Sequence, residues 1–414
     1  MHLVTTDPAA RACPACGTFA TRVKERIVTR PRDLSRGGSA VRIRWHKRRR
    51  PCRETACERA SFTEQIAQTP ARMHITERLR TACGQAVVDG GRTVVQTGRD
   101  LGPTWPVVMR ATRAFAKQVL PETPPATEAI GIDETRRGRP VWKLDEDSGK
   151  WTLEADAWHI GFVDAIGGQG LFGQVEGRNA TAVAAWPNAQ PTWWSSRIRY
   201  VAIDLCATFR SAIRTALPHA TVVVDAFLIV QLAQRHLADL RRRLTWKQHG
   251  RRARKGDAIY TVRKLLRRNA EDLTPEQHRT LTNELTVMGT YGKQILAGWK
   301  TKELLRDVLR LTYKHAHTAP ALSAISAARY RFQAHCADHA FLPELTTLAE
   351  TVDQWWDGIE AYVLTGITNA ASEGNNRVIK LDARNAFGFR NRASQRLRSR
   401  SATTRRARRE GVPD

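Results

Sequence analysis

Two aspartates stand at the ends of short apolar runs, Ala129-Ile130-Gly131-Ile132-Asp133 and Ala220-Thr221-Val222-Val223-Val224-Asp225. Apolar, β-branched runs of that length predict buried strands. A carboxylate at the C-terminal end of such a strand projects into the crevice outside a sheet, where α/β proteins bind ligands. A single strand-end Asp is more often a helix cap or turn residue. The pair, 92 positions apart, is what points to chemistry. Asp204 also closes a predicted strand, 199–203, and reads as the N-cap of a helix beginning Leu205-Cys206, with an outer supporting role open to it. Glu134 should face away from Asp133, because side chains alternate along a strand. Clustered carboxylates are hard oxygen ligands suited to Mg²⁺ or Mn²⁺. Two such ions about 3.5–4 Å apart can activate a nucleophile, hold a leaving oxygen in line and neutralise charge on a phosphodiester. That chemistry calls for a third acid on a later helix, which periodicity alone does not single out.

Four of the seven cysteines form a second chemical group, Cys13-Pro-Ala-Cys16-Gly and the pair Cys52 and Cys57. Two thiolates two residues apart can grip one metal, with Gly17 easing the turn, and two such pairs suit tetrahedral Zn²⁺ in a closed structural site. The 35 residues between the pairs exceed the usual ribbon spacing. An odd cysteine count argues for a reducing compartment rather than a disulfide framework. Cys83, Cys206 and Cys336 read as ordinary packing residues.

These groups need elements to position them. Residues 1–65 read as a small β-rich unit around the cysteines, with Val41-Arg42-Ile43-Arg44-Trp45 alternating as a half-buried strand. Residues 66–125 read as basic and helical. There Gly102-Pro103 separates two helices, and Thr104 would cap the second, in the outline of a helix-turn-helix. A plain helical bundle fits the same pattern. Residues 126–225 alternate strands at 129–133, 158–163, 171–175, 199–203 and 220–225, which predicts a ribonuclease-H-like α/β core. Residues 226–370 read as a helical insertion packed through Leu265-Leu266, Leu304-Leu305 and Trp355-Trp356. Residues 371–391 resume the core with an amphipathic helix. Residues 392–414 read as an unpatterned, Arg-rich tail that is mobile until it meets DNA.

Lys and Arg exceed Asp and Glu by 67 to 40, a net charge of +27. The excess lies in blocks: seven cations over 42–53, twelve against Asp257 alone over 241–268, and nine arginines against Glu410 over 390–410. Three such blocks imply a polyanion, and double-stranded DNA is the partner that fits. Arg48, Arg49, Arg50, Arg251, Arg252, Arg254 and Lys255 are the candidate phosphate contacts. No run approaches the ~18 apolar residues of a membrane-spanning helix. The N-terminus lacks a secretory pattern, so a cytoplasmic, nucleoid-associated protein is expected.

The segments AIGIDETRRGRPVW, YVAIDLCATFRSAIRTALPHATVVVDAF and SEGNNRVIKLDARNAFGFRN resemble the signature blocks of the ISL-three family of bacterial insertion-sequence transposases. The resemblance runs in order across 1–391 and includes both cysteine pairs. It implies a catalytic, metal-binding Asp-Asp-Glu triad on Asp133, Asp225 and Glu373, with Lys380 and Arg390 near DNA. It also implies a zinc-ribbon and helix-turn-helix region that recognises inverted-repeat ends, and strand cleavage followed by strand transfer. Cutting two ends calls for at least a dimer. Glu373 and Asn376, three apart, share a helix face with Lys380. Two positions depart from the family. Leu228 stands where a D-x-F-H pattern has His, and the chain after Asn391 is Arg-rich where an apolar helix is usual. Both departures favour an alternative, a relative that binds DNA without cutting it.

Overall fold

Short strands gather around the cysteines. A computed structural model describes residues 1–312, 320–389 and 391–410. The chain divides into two units, Met1–Glu122 with Val378–Asp414, and Thr123–Arg377. In the first, β1 (His2–Val4), β2 (Glu25–Thr29), β3 (Arg44–Pro51) and β4 (Ser61–Thr63) build a small sheet with β3 at its centre. The expected alternation is present, since Ile43 and Trp45 are buried, but the strand itself starts only at Arg44. Three helices follow, α1 (Glu77–Val88), α2 (Val94–Leu101) and α3 (Trp105–Val119). Thr76 and Thr93 accept the N–H of Leu79 and Gln96 and so cap the first two. Gly102 ends α2 in the left-handed region at φ 86°, a conformation that favours glycine. Thr104 does occupy the N-cap of α3, but its side chain makes no capping bond. Leu79, Cys83, Val87, Val108 and Ala111 form the core between the helices.

Asp33 ties the segment after β2 to the start of α1. Its carboxylate accepts from the Thr76 hydroxyl (2.6 Å), the Leu34 N–H (2.9 Å) and the Arg78 guanidinium. Arg78 above all holds its pKa down at about 2. A depressed carboxylate contributes stability above its unfolded value, which is lost as pH falls through the folded one. We expect Asp33→Asn to cost about 1–2 kcal/mol at neutral pH, discounted because Arg78 is exposed. Thermal melts should show the gap between wild type and variant narrowing as pH falls from about 4 towards 2. A gap that does not change with pH would show that the ion pair contributes nothing.

In the second unit β5 (Ala129–Arg136), β6 (Val141–Leu144), β7 (Trp151–Ala155), β8 (Trp158–Asp164) and β9 (Leu171–Glu176) come first. Helices α4 (Ala180–Asn188) and α5 (Thr192–Ser195) precede β10 (Tyr200–Ile203), and α6 (Ala207–Ala216) precedes β11 (Thr221–Val224). The five-stranded sheet runs β11-β10-β5-β8-β9. β5, β10 and β11 are parallel, and β8 and β9 are antiparallel. Strands β6 and β7 form a separate hairpin that the sequence reading did not anticipate. Its large side chains, Trp142 and Trp151 among them, lie exposed, so no apolar face marks it as part of the core. Ile130, Ile132, Phe162, Trp194, Val201 and Ile203 fill the sheet's core. Gly161 and Gly173 leave room on the sheet, and the Trp186 indole nitrogen lies where a Cβ on Gly173 would sit, at 2.2 Å.

The stretch after β11 is helical, as expected: α7 (Ala226–His249), α8 (Ala258–Val262), α9 (Pro275–Val287), α10 (Thr290–Arg310), α11 (Leu322–Asp338), α12 (Pro343–Gln354) and α13 (Trp356–Thr365). Leu266, Leu305, Trp355 and Trp356 are buried. α14 (Ala370–Asn385) then leads from the second unit into the first. Among the described residues no helix is long and apolar enough to cross a membrane.

Residues 392–410 correct the expectation of an unpatterned tail. They form α15 (Arg392–Thr403) and α16 (Arg405–Glu410), and α15 packs on α1 and α3. Only Leu397 joins an apolar cluster, with Val88, Ala116 and Leu120. Guanidinium groups make the other contacts. Arg398 pairs with Asp382 at 2.7 Å and donates to the Arg92 carbonyl at 3.0 Å, while Arg408 reaches Asp89 at 2.8 Å and the Val88 carbonyl at 3.3 Å. Cations at the C-terminus of α1 meet its unpaired carbonyls and its dipole. A pattern search for apolar periodicity has no means of seeing such anchoring.

Candidate functional site

Sheet register sets three aspartates side by side. β10 pairs with β5 through Ala202↔Gly131, and with β11 through Ile203↔Val224. Extending each register past the strand end brings Asp204 beside Asp133 on one side and beside Asp225 on the other. Adjacent strands lie about 4.8 Å apart, so Asp133 and Asp225 are separated by two strand spacings with Asp204 between them. The reading of Asp204 as a helix cap is therefore corrected. α6 begins at Ala207, Cys206 holds its N-cap position, and the Asp204 carboxylate instead accepts the Asn369 amide at 3.2 Å.

Asp225 is the cap. Its Oδ1 accepts the Phe227 N–H at 2.8 Å at the start of α7, and its Oδ2 accepts the Asn369 N–H at 3.1 Å. Asp133 accepts the Glu134 N–H at 2.7 Å and the Asn376 amide at 2.6 Å. Asn376 in turn takes the Thr135 hydroxyl. Glu134 turns away from Asp133 as expected and pairs with Arg178 at 3.1 Å.

Burial, and then the charge of Asp204, push the Asp133 carboxyl up to about 6. Burial also raises Asp204, against the pull of the Asn369 amide, and the charges of Asp225 and Glu373 raise it further. Carboxylates that raise one another's pKa occupy a site short of positive charge. Glu373 stands in the first turn of α14, near enough for its charge to raise Asp204, with its side chain exposed and paired with Arg377. α14 reaches the sheet because Gly131 has no side chain: a Cβ there would meet Ser372 Oγ at 2.5 Å and Asn369 Oδ1 at 2.8 Å. Both of those oxygens are buried and make no hydrogen bond. Asn369 carries no strand or motif signal of its own. What could have pointed to it is its position one residue before the helix that carries Glu373.

The four cysteines converge. Cys13 Sγ lies 3.9 Å from Cys57 Sγ and Cys16 Sγ lies 3.5 Å from Cys52 Sγ, and all four sulfurs fall within 4.8 Å of one another. A tetrahedron with metal–sulfur arms of about 2.3 Å has edges of about 3.8 Å, so the quartet fits zinc. Hydrogen bonds from Thr18 lower the Cys16 thiol to about 6, whereas burial and the neighbouring sulfurs push Cys52 and Cys57 up, as crowded thiols do without a cation between them. Among the described residues this is the one group of three or more metal-binding side chains drawn that close. The carboxylates are spread more widely.

Of the predicted DNA contacts, Arg50 is buried. It pairs with Glu64 at 3.0 Å and donates to the Ala20 and Thr21 carbonyls. We assign it to the fold rather than to DNA. Arg48 shares Glu64 at 2.7 Å, and Arg49 is half-exposed near Glu25. Arg251 is held bidentately by Asp257. Arg252, Arg254, Lys255 and Lys380 are exposed, and Arg390 lies outside the described residues.

Residues 130–399 match a family model described as a transposase, the DDE type of the ISL3 family. The chain belongs to that family. Residues 9–57 of the transposase match a second model, the zinc-finger of transposase IS204/IS1001/IS1096/IS1165, which spans all four cysteines. The transposase for insertion sequence element IS1001 of Bordetella parapertussis is 26% identical over 398 residues, covering 94% of this chain and 88% of that protein. The first match encloses Asp133, Asp204, Asp225 and Glu373 together. The cysteine quartet and the DDE domain suggest structural zinc and a catalytic divalent metal respectively.

Proposed function

We propose that this transposase binds the inverted-repeat ends of its insertion sequence, cuts there and joins the freed end to target DNA. The register that aligns Asp133, Asp204 and Asp225 beneath the start of α14 carries this reading. The strand order and the helix that closes on it support a ribonuclease-H-like core. Asp133 and Glu373 remain the ligands expected from the sequence. We place Asp204 with them, because it stands next to Asp133, while both oxygens of Asp225 serve backbone N–H groups. Mg²⁺ or Mn²⁺ held there would supply nucleophile activation and charge neutralisation at the phosphate. Asn376 fixes the Asp133 carboxylate, and Asn369 bonds both Asp204 and Asp225, so the acids are held in place before substrate arrives. Water attacks the end phosphodiester and releases a 3′-hydroxyl. That hydroxyl then displaces a target-strand oxygen from phosphorus, with no net change in the number of phosphodiester bonds.

End recognition falls to the zinc ribbon and the α2–α3 pair, read as a helix-turn-helix. Arg110, Arg113 and Lys117 lie exposed along one stretch of α3, at the spacing of a helix face. Their spacing in the sequence carries no motif of its own. Two ends must be cut, so we infer that a dimer or larger assembly acts on double-stranded DNA, in the cytoplasm at the nucleoid. Leu228, half-buried in the first turn of α7, is the one residue favouring a DNA-binding relative that does not cut.

The test is cleavage of a labelled duplex carrying the element's own terminal repeats, with Mg²⁺ or Mn²⁺. We expect metal-dependent nicking at the repeat boundary, and a loss of roughly a thousand-fold in Glu373→Gln. Tight end binding with no cutting by wild type would leave the non-cutting reading instead.

A further inference from the structure

The helical insertion contains a cavity of about 600 Å³ between α7 and the segment running from α8 to Arg267. Six cations line it: Arg235, Arg241, Arg242, Arg263, Lys264 and Arg267. Only Arg242 has a carboxylate partner among the described residues, Asp239. Arg241 is half-buried, and burial followed by Arg242, Arg263 and Arg267 lowers its pKa. Guanidinium groups gathered around a partly desolvated concavity repel one another, a cost that an anionic ligand would remove.

The wall is built rather than loose. Lys302 is fully buried, pairs with Glu303 at 2.7 Å, and donates to the Leu266 carbonyl at 3.3 Å and to that of Arg268. It thereby pins the turn that carries Lys264 and Arg267. Gln234 of α7 donates to the Arg267 carbonyl at 3.4 Å. Arg263 is fixed over the Tyr260 ring at 3.3 Å and donates to the Tyr260 carbonyl at 2.7 Å. Leu237 and Leu266 provide an apolar floor.

We propose that this cavity is a phosphate-backbone cradle that takes a short run of a DNA strand, apart from the carboxylate site and from the ribbon. On α7, Arg235 and Arg242 are seven residues apart, about 10 Å along the helix. At 3.4 Å per base along one strand, that distance matches about three nucleotides. The cradle thus spans several phosphates and not one free ion, and its apolar floor suits deoxyribose. It rests on the reading of the chain as a DNA-handling transposase and adds to it a contact surface within the insertion.

The experiment uses the full zinc-loaded chain without Mg²⁺ or Mn²⁺, and measures binding to a labelled end duplex over a salt series. Lys264→Gln and Arg267→Gln, both exposed, should each weaken binding several-fold and lower the slope of log K against log[salt] by about 0.9. Arg241→Lys tests the half-buried position, keeping the charge but losing the planar fork. It should weaken binding with less change in slope. Arg279→Gln, an exposed cation on α9, should leave affinity and slope nearly unchanged. Titration with inorganic phosphate at constant ionic strength should give no saturable heat in the low-millimolar range. Slopes equal to wild type in the cradle variants, an equal effect from Arg279→Gln, or tight phosphate binding lost in Lys264→Gln would each overturn the proposal. With Mg²⁺ restored, normal end cleavage by variants whose slopes are unchanged sinks the cradle alone. Reduced slopes in a protein that never cuts sink the catalytic reading alone.

Discussion

Asp204→Asn silences end cleavage as completely as Asp133→Asn, by roughly a thousand-fold, whereas Asp225→Asn stays within about ten-fold of wild type. The contrast follows from position and from hydrogen bonding. Asp204 lies between the other two aspartates in the strand register, and its charge raises Asp133. Its carboxylate bonds one amide, that of Asn369. Asp225 accepts the Phe227 N–H from the N-cap of α7, and Asn caps a helix about as well as Asp does. Asp225→Asn therefore keeps the helix start through its one remaining oxygen, gives up the bond from the Asn369 N–H, and removes a charge that sits farther from Asp133, while the Asn369 side-chain amide still holds Asp204. All three variants are compared on one labelled end duplex at saturating Mg²⁺, with melting temperatures to show that each is folded. If Asp225→Asn is silent and Asp204→Asn cuts normally, the triad is Asp133, Asp225 and Glu373, and Asp204 has only a supporting role.

That contrast shows where the sequence stops being informative. Asp133 and Asp225 stand out because an apolar run followed by a carboxylate is a local pattern. The rank of Asp204 is not local: it depends on which strands are neighbours, and pairing register is a property of the sheet. Glu373 is one of several helical glutamates, and only the family resemblance distinguished it. Its placement beside the sheet depends on the bare backbone of Gly131, which looks like any strand glycine in the sequence. The cysteine quartet was legible from residue type despite the long gap, because thiolates grouped in pairs in a chain with an odd cysteine count have few other uses. Charge misled in both directions. Arg50 sits in a conspicuous basic block yet is neutralised by Glu64 across β3 and β4, and Arg405 and Arg408 of α16 turn inward to the end of α1. A count of cations does not say which of them already have partners.

Stripping the metal from the cysteine quartet, or replacing Cys13 with Ser, should unfold residues 1–65 and abolish end recognition. The apolar cluster there consists of Cys13, Ala20 and Phe62, with Cys52 and Cys57 packed against it. Ile43 and Trp45 are the other large apolar side chains buried in this region, and each such side chain contributes about 1.5–3 kcal/mol. Structural zinc in small domains contributes about 10–16 kcal/mol of apparent binding free energy, and in such domains that is folding free energy. The strands are short and the connections between them are long, so little else resists the chain entropy of this region. The α/β unit has its own large core and should keep its structure when the metal is removed. Hydrogen exchange on the full chain, with and without a chelator, separates the regions: protection should vanish over β1–β4 and persist over β5–β11. Colorimetric release should give about one zinc per chain, and Cys83→Ser, a core change in α1, should leave that stoichiometry intact. Protection of β1–β4 that survives both chelation and Cys13→Ser would mean that protein contacts alone hold the ribbon, and that its sulfurs converge for another reason.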